Sequence, residues 1–121
     1  MTKHVFGLGH FGGGTGKYPP YQRGEPTETV IGTKIRTAIK ERYPDAFIRK
    51  IHSGGYMAAG VPDLYVAING HGIWIEIKRP MADTTATQQK TLEAMWAQGI
   101  PCGTADSVQT ALDMIKEVVG V

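Results

Sequence analysis

A single cysteine, Cys102, leaves the chain with no internal disulfide, so a reducing cytoplasm is its expected home. No apolar run approaches the length of a membrane span, and the N-terminus lacks the basic-then-apolar order of a signal peptide, so a membrane is not an expected partner. His4, His10 and His71 stand at no metal-ligand spacing and give no zinc site. Strong net charge is also missing: the balance is only +2. The distribution is more telling, because the basic residues gather in the first 50 positions and the acidic ones after them. Lys34, Arg36, Lys40, Arg42, Arg49 and Lys50 cluster as expected of a face that meets phosphate, although a solvated helix face explains the same cluster. With 121 residues, 41% of them hydrophobic, the chain is long enough for one domain with a real core.

What the sequence does hold is a pair of strand-like runs with charge inside them, Gly60 to Arg79 (GVPDLYVAINGHGIWIEIKR). Both runs are rich in β-branched and aromatic residues, and Asn69-Gly70 between them is a strong two-residue hairpin signal. If those two residues form the turn, Ile68 pairs with His71, and counting outward sets Asp63 opposite Glu76. Their Cβ atoms would then lie about 5 Å apart. Trp74 and Lys78 share the face of Glu76, because side chains alternate with period two. Ile73, Ile75 and Ile77 form the opposite, core-facing row. A four-residue turn would keep this parity, whereas a three-residue turn or a bulge would break it. Two adjacent carboxylates repel unless a cation lies between them, and paired oxygens suit Mg²⁺ or Mn²⁺. A neighbouring ammonium, Lys78, can lower the pKa of a metal-bound water or offset negative charge gathering on phosphorus.

The remaining elements surround this hairpin. Residues 1–26 are glycine-rich without apolar periodicity and read as an irregular arm, leaving 27–121 as the single domain. GGGTGK at 12–17 suggests a phosphate-binding loop but fails on three counts. Phe11 stands where the first glycine belongs, Tyr18 follows Lys17 in place of Ser or Thr, and no strand precedes it. Pro26 and Thr27 open a helix to about Arg42 with Ile31, Ile35, Ala38 and Ile39 as its core stripe. Glu28 suits the first turn through the helix dipole, yet its spacing to Ile31 and Ile35 turns it inward. Residues 46–51 read as a strand, and 52–60 as a loop, with Arg49, Lys50 and His52 flanking the site as substrate contacts. Thr84 or Thr85 caps a helix to about Gln98, ended by Gly99. Gln88 falls on its inward face with Leu92, Met95 and Trp96, while Gln89 points to solvent. A short strand at 100–103 and a helix capped by Asp106 or Ser107 close the chain. Cys102 reads as a small buried hydrophobe, since no histidine is placed to activate it.

The order α-β-β-β-α-β-α, with Asp63 and Glu76-x-Lys78 on the hairpin, resembles the PD-(D/E)xK nuclease superfamily. Gly60-Val61-Pro62-Asp63-Leu64, Trp74-Ile75-Glu76-Ile77-Lys78-Arg79-Pro80 and Thr87-Gln88 narrow the resemblance to the VRR-NUC family of virus-type replication-repair nucleases. Glu28 with Ile31 and Ile35, and Lys50-Ile51-His52, fit the same pattern, which spans about residues 27 to 118. The resemblance implies an α/β, restriction-endonuclease-like core with a mixed sheet flanked by helices. It further implies a Mg²⁺-dependent deoxyribonuclease, with Mn²⁺ as a substitute, working in a bacterial or phage-infected cell or its nucleoid. Asp63, Glu76 and the backbone carbonyl of Ile77 would hold the metal, and Glu28 would complete the acidic cluster. Lys78 would position or polarise the attacking water, held by Gln88.

Lys34, Arg36, Arg49, Lys50, His52 and Arg79 would then contact the nucleic-acid backbone, which carries no sequence information. Branched, flapped or junction DNA is the expected partner, and a homodimer the expected assembly. Two other readings stand beside this one: a non-catalytic nucleic-acid-binding module that keeps the fold and the basic face, and a nucleotide-binding protein that uses the glycine-rich arm.

Overall fold

A computed structural model describes residues 24–51, 60–80 and 82–121. The glycine-rich stretch 12–17, His4, His10 and His52 lie outside them. The expected element order is present: α1 (Glu28–Arg42), β1 (Phe47–Lys50), β2 (Leu64–Ile68), β3 (His71–Ile77), α2 (Ala86–Ala97), β4 (Cys102–Ala105) and α3 (Val108–Val119). The strands form one sheet in the order β1-β2-β3-β4. The first three pair antiparallel, and β4 runs parallel to β3, a connection that needs a crossover and gets it from α2.

Asn69 and Gly70 have φ of 50° and 81°, the positive values that a two-residue hairpin turn requires at both central positions. Ile68 therefore faces His71, and the register continues to Leu64 opposite Ile75. This turn fixes which side of the sheet every hairpin residue occupies, since a slip of one residue would exchange the faces. Ile73, Ile75 and Ile77 accordingly join Leu64, Val66 and Ile68 in the main core, under Ile31, Ile35 and Ile39 of α1 and Ala111, Met114 and Ile115 of α3. On the other face Leu92 and Trp96 of α2 pack with Cys102 and part of Trp74.

Each helix begins on a predicted cap. Thr27 accepts the Val30 N–H, and Thr85 and Ser107 each form a capping box with the third helical residue, Gln88 and Thr110. Several strand limits differ from the sequence reading. β2 starts at Leu64, so the strand-like run that follows Gly60 is shorter than it reads. β4 starts at Cys102 because the Ile100 N–H still bonds to Met95 at the end of α2, while the Pro101 carbonyl accepts from Trp74. Among the described residues no helix is long and apolar enough to cross a membrane.

Gly60 ties the approach to β2 onto α2. Its φ is +89°, and an added Cβ would lie 2.8 Å from the Thr87 carbonyl oxygen and 2.8 Å from Thr91 Oγ1. The backbone oxygen cannot be moved without moving the helix. We expect Gly60→Ala to lower the unfolding free energy by about 1–3 kcal/mol, combining left-handed strain with overpacking. Urea denaturation of the two proteins measures it, and an unchanged midpoint would contradict this packing.

Candidate functional site

The site forms where β2 and β3 part. Extending the register by one step sets Asp63 against Glu76, but the ladder stops at Leu64. Instead the Asp63 carboxylate reaches across, and its Oδ2 accepts the Ile77 N–H at 2.9 Å. On the other side the Asp63 backbone carbonyl accepts from the Ile51 N–H at 2.7 Å. Asp63 is thus pinned between its two neighbouring strands, with its charge at the point of divergence.

Glu76 and Lys78 follow on the same strand row and are only 2% and 3% exposed. Buried charges need partners, and the start of α2 supplies them. Gln88 Nε2 donates to Glu76 Oε2 at 3.0 Å. Gln88 Oε1 accepts from Lys78 Nζ at 2.6 Å and from the Thr85 backbone N–H at 2.9 Å. The amide cannot be reversed, because a flip would aim its NH₂ at two donors and its oxygen at a carboxylate. Lys78 Nζ also lies 3.7 Å from Glu76 Oε2. Gln89, expected in solvent, is half-buried, accepting from Thr84 Oγ1 at 3.0 Å and donating to Glu93 at 2.7 Å.

Electrostatically the pair is strained. The Glu76 carboxyl is pushed up to about 9, first by burial, then by the Asp63 carboxylate, and Lys78 opposes without prevailing. Glu28 is also raised, mainly by burial and further by Asp63, against the pull of Lys78 and a hydrogen bond from the Arg79 backbone. The site holds more negative charge than its one lysine offsets. Among the described residues no three His, Cys, Asp or Glu side chains are gathered as a metal cluster. What lies together is the pair of carboxyl groups of Asp63 and Glu76, the oxygen type that a small hard cation keeping several waters accepts.

Beside Asp63 opens a cavity of about 150 Å³, walled by Glu28, Gly32, Arg36, Lys50, Asp63 and Ile77, among others. Gly32 is buried where a Cβ would lie 3.4 Å from Arg36 Nη1, so a larger residue would press on that guanidinium. The sequence offered no signal for it beyond a glycine inside a helix. The predicted basic contacts divide by geometry. Arg36 and Lys50 line the cavity. Lys34, two residues from Arg36 and so on another side of the helix, borders a separate groove with Asp106 and Ser107. Arg49 alternates with Lys50 along β1, and its guanidinium lies 4.2 Å over the Phe47 ring. Arg79 is half-buried, with Nη1 3.8 Å from Glu25 Oε2. Cys102 is fully buried and its thiol is pushed up to about 11 by burial, as suits a packing residue rather than a nucleophile.

The raised Glu76 carboxyl has a consequence for metal-free protein. Its folded value lies above the ordinary 4.5, so folding takes up a proton between those two values and stability falls as pH rises from about 4.5 to 9. Glu76→Gln removes that titration. Melting temperatures in EDTA should therefore show the wild type losing ground to Glu76→Gln across this window; parallel curves would mean that the carboxyl is not raised.

No family model and no curated protein matches the sequence. A solved structure described as a VRR_NUC domain superposes with a TM-score of 0.59 at 21% identity, over 74% of this chain and 96% of that one. The arrangement of a hairpin, a crossover helix and a parallel fourth strand around Asp63, Glu76 and Lys78 is thus set in the fold of a VRR_NUC domain.

Proposed function

We propose that the chain is a metal-dependent nuclease that hydrolyses phosphodiester bonds of DNA at Asp63, Glu76 and Lys78. The observation that carries this reading is the buried triad Glu76–Gln88–Lys78, closed onto Asp63 by the strand divergence. A structural ion pair would need no second carboxylate pressed against it. A site for a divalent cation needs such a carboxylate. Mg²⁺, with Mn²⁺ as its substitute, would be held by Asp63, Glu76 and the Ile77 carbonyl, with Glu28 at the rim, and would supply Lewis-acid charge and an acidified water.

The chain's own groups do the rest. Gln88 fixes the Lys78 ammonium beside the carboxylates, where it offsets charge developing on the phosphoryl oxygens. Arg36 and Lys50, on the cavity walls, would hold the phosphate backbone without reading bases. Branched, flapped or junction DNA, and a homodimer offering two such sites, belong to the same proposal; sedimentation velocity reads the mass.

Labelled linear, single-stranded, flapped and four-way DNA with Mg²⁺ or EDTA tests the activity. Cleavage should require the metal. Asp63→Ala and Lys78→Ala should each lower the rate on the order of 10²–10³-fold, the scale for losing one charge-stabilising group. Gln88→Ala should lower kcat more than it raises KM, since the amide acts through Lys78. Binding without cleavage in either metal across the panel would leave only the binding-module reading.

A further inference from the structure

The sheet face that carries Glu76 is covered by α2 only in part. Leu92 and Trp96 pack on Cys102 of β4 and against Trp74 of β3, while on β1 Phe47 remains 46% exposed and Arg49 is exposed. The register places Arg49 beside Tyr65 and Tyr65 beside Trp74, so one aromatic row crosses three strands. The Tyr65 and Trp74 ring centroids are 4.8 Å apart at 53°, and those of Phe47 and Tyr65 are 6.3 Å apart at 72°. The Arg49 guanidinium rests on Phe47. The row stays open because Ala67 and Gly72, paired beside it, are small. A Cβ at Gly72 would strike the Tyr65 hydroxyl.

Core packing does not account for a half-exposed phenylalanine under an arginine. The position of the row does suggest a ligand. Trp74 and Tyr65 precede Glu76 and follow Asp63 by two residues each, so the rings begin about 7 Å from the carboxylates on the same sheet face. Tyr65 is thus within reach of one nucleotide, and Phe47, paired with Ala67 and so about 13 Å along the sheet from Asp63, within reach of the next. Aromatic rings interleaved with cations are how single strands are held, phosphate on the cation and base on the ring. A second copy of the chain fits less well, because a two-fold contact centred on the exposed Phe47 would bring together the two Arg49 charges that lie over it.

We propose that Phe47, Tyr65 and Arg49 form a stacking platform for unpaired bases next to the phosphodiester held at Asp63 and Glu76. Paired bases cannot present their faces, so the strand that enters must be single-stranded there, as in a flap or a free end. The inference rests on the nuclease reading only for what lies at the carboxylates.

Fluorescence anisotropy of a single-stranded oligonucleotide against the same strand made of abasic residues, in EDTA to prevent hydrolysis, tests it. The wild type should bind the base-bearing strand about tenfold more tightly. Phe47→Ala should remove most of that preference and Phe47→Tyr should keep it. Should Phe47→Ala prove unfolded by thermal melting, Phe47→Leu carries the same test, since it keeps apolar burial without a ring. Equal binding of the two strands by the wild type, or a preference that survives loss of the ring, overturns the platform. So does a wild-type dimer whose mass falls to monomer in Phe47→Ala while strand binding is unchanged. Cleavage is scored separately: base preference without cleavage sinks the nuclease reading alone, and cleavage without base preference sinks the platform alone.

Discussion

The constraint on which the rest depends is the crowding of Asp63 and Glu76, two carboxyl groups held together where burial already disfavours charge, so that the metal-free protein relieves the pair by keeping a proton on Glu76. Left alone, such a pair would be relieved by turning one side chain away. The structure prevents this from both directions. Asp63 is fixed by hydrogen bonds to Ile77 and Ile51, and Glu76 by the Gln88 amide. The cost is borne by an isoleucine-rich core on the opposite face, where Ile35, Ile39, Ile73 and Ile75 are fully buried. Each contributes about 1.5–3 kcal/mol by burial.

Gln88 links the local structure of a helix to the chemistry of the site. Its side chain completes the capping box of α2 and at the same time bridges Lys78 and Glu76. The start of the helix and the orientation of the lysine are therefore set by one amide. Gly60 presses on the same first turns of α2, so the approach to Asp63 and the support of Lys78 share a single rigid element. Positioning of this kind is what a charge-stabilising group needs, since a misplaced ammonium gains little over water.

Much of this could be read from residue order. Asn69-Gly70 defined the turn, the turn defined parity, and parity put Asp63, Glu76 and Lys78 together while sending the isoleucines to the core. Caps at Thr27, Thr85 and Ser107 were legible because a hydroxyl before an apolar stripe has one favourable use. The capture of the Ile77 N–H by Asp63 was not, because a hairpin count assumes that pairing continues and has no term for strands that diverge. The division of the basic residues was also missed. A charge cluster in sequence ignores period two in β1 and the turn of α1, and these send Arg49 and Lys34 away from the cavity that Arg36 and Lys50 line. The aromatic row was invisible for the same reason: Phe47, Tyr65 and Trp74 come from three separate strands and meet only through register.

That register also explains why the two sides of β1 differ in kind. Lys50 pairs with Leu64 and faces the cavity side, whereas Arg49 pairs with Tyr65 and faces the aromatic row. Among the described residues α2 packs this face over β3 and β4, while Phe47 and Arg49 of β1 are exposed and Tyr65 of β2 is half-buried. One helix among the described residues lies on this side of a four-stranded sheet. The larger side chains at its exposed and half-buried positions are rings and a guanidinium rather than the lysines and threonines that would make the surface inert. Placed against the carboxylates, that choice of side chains turns the part of this face beyond α2 into an extension of the site.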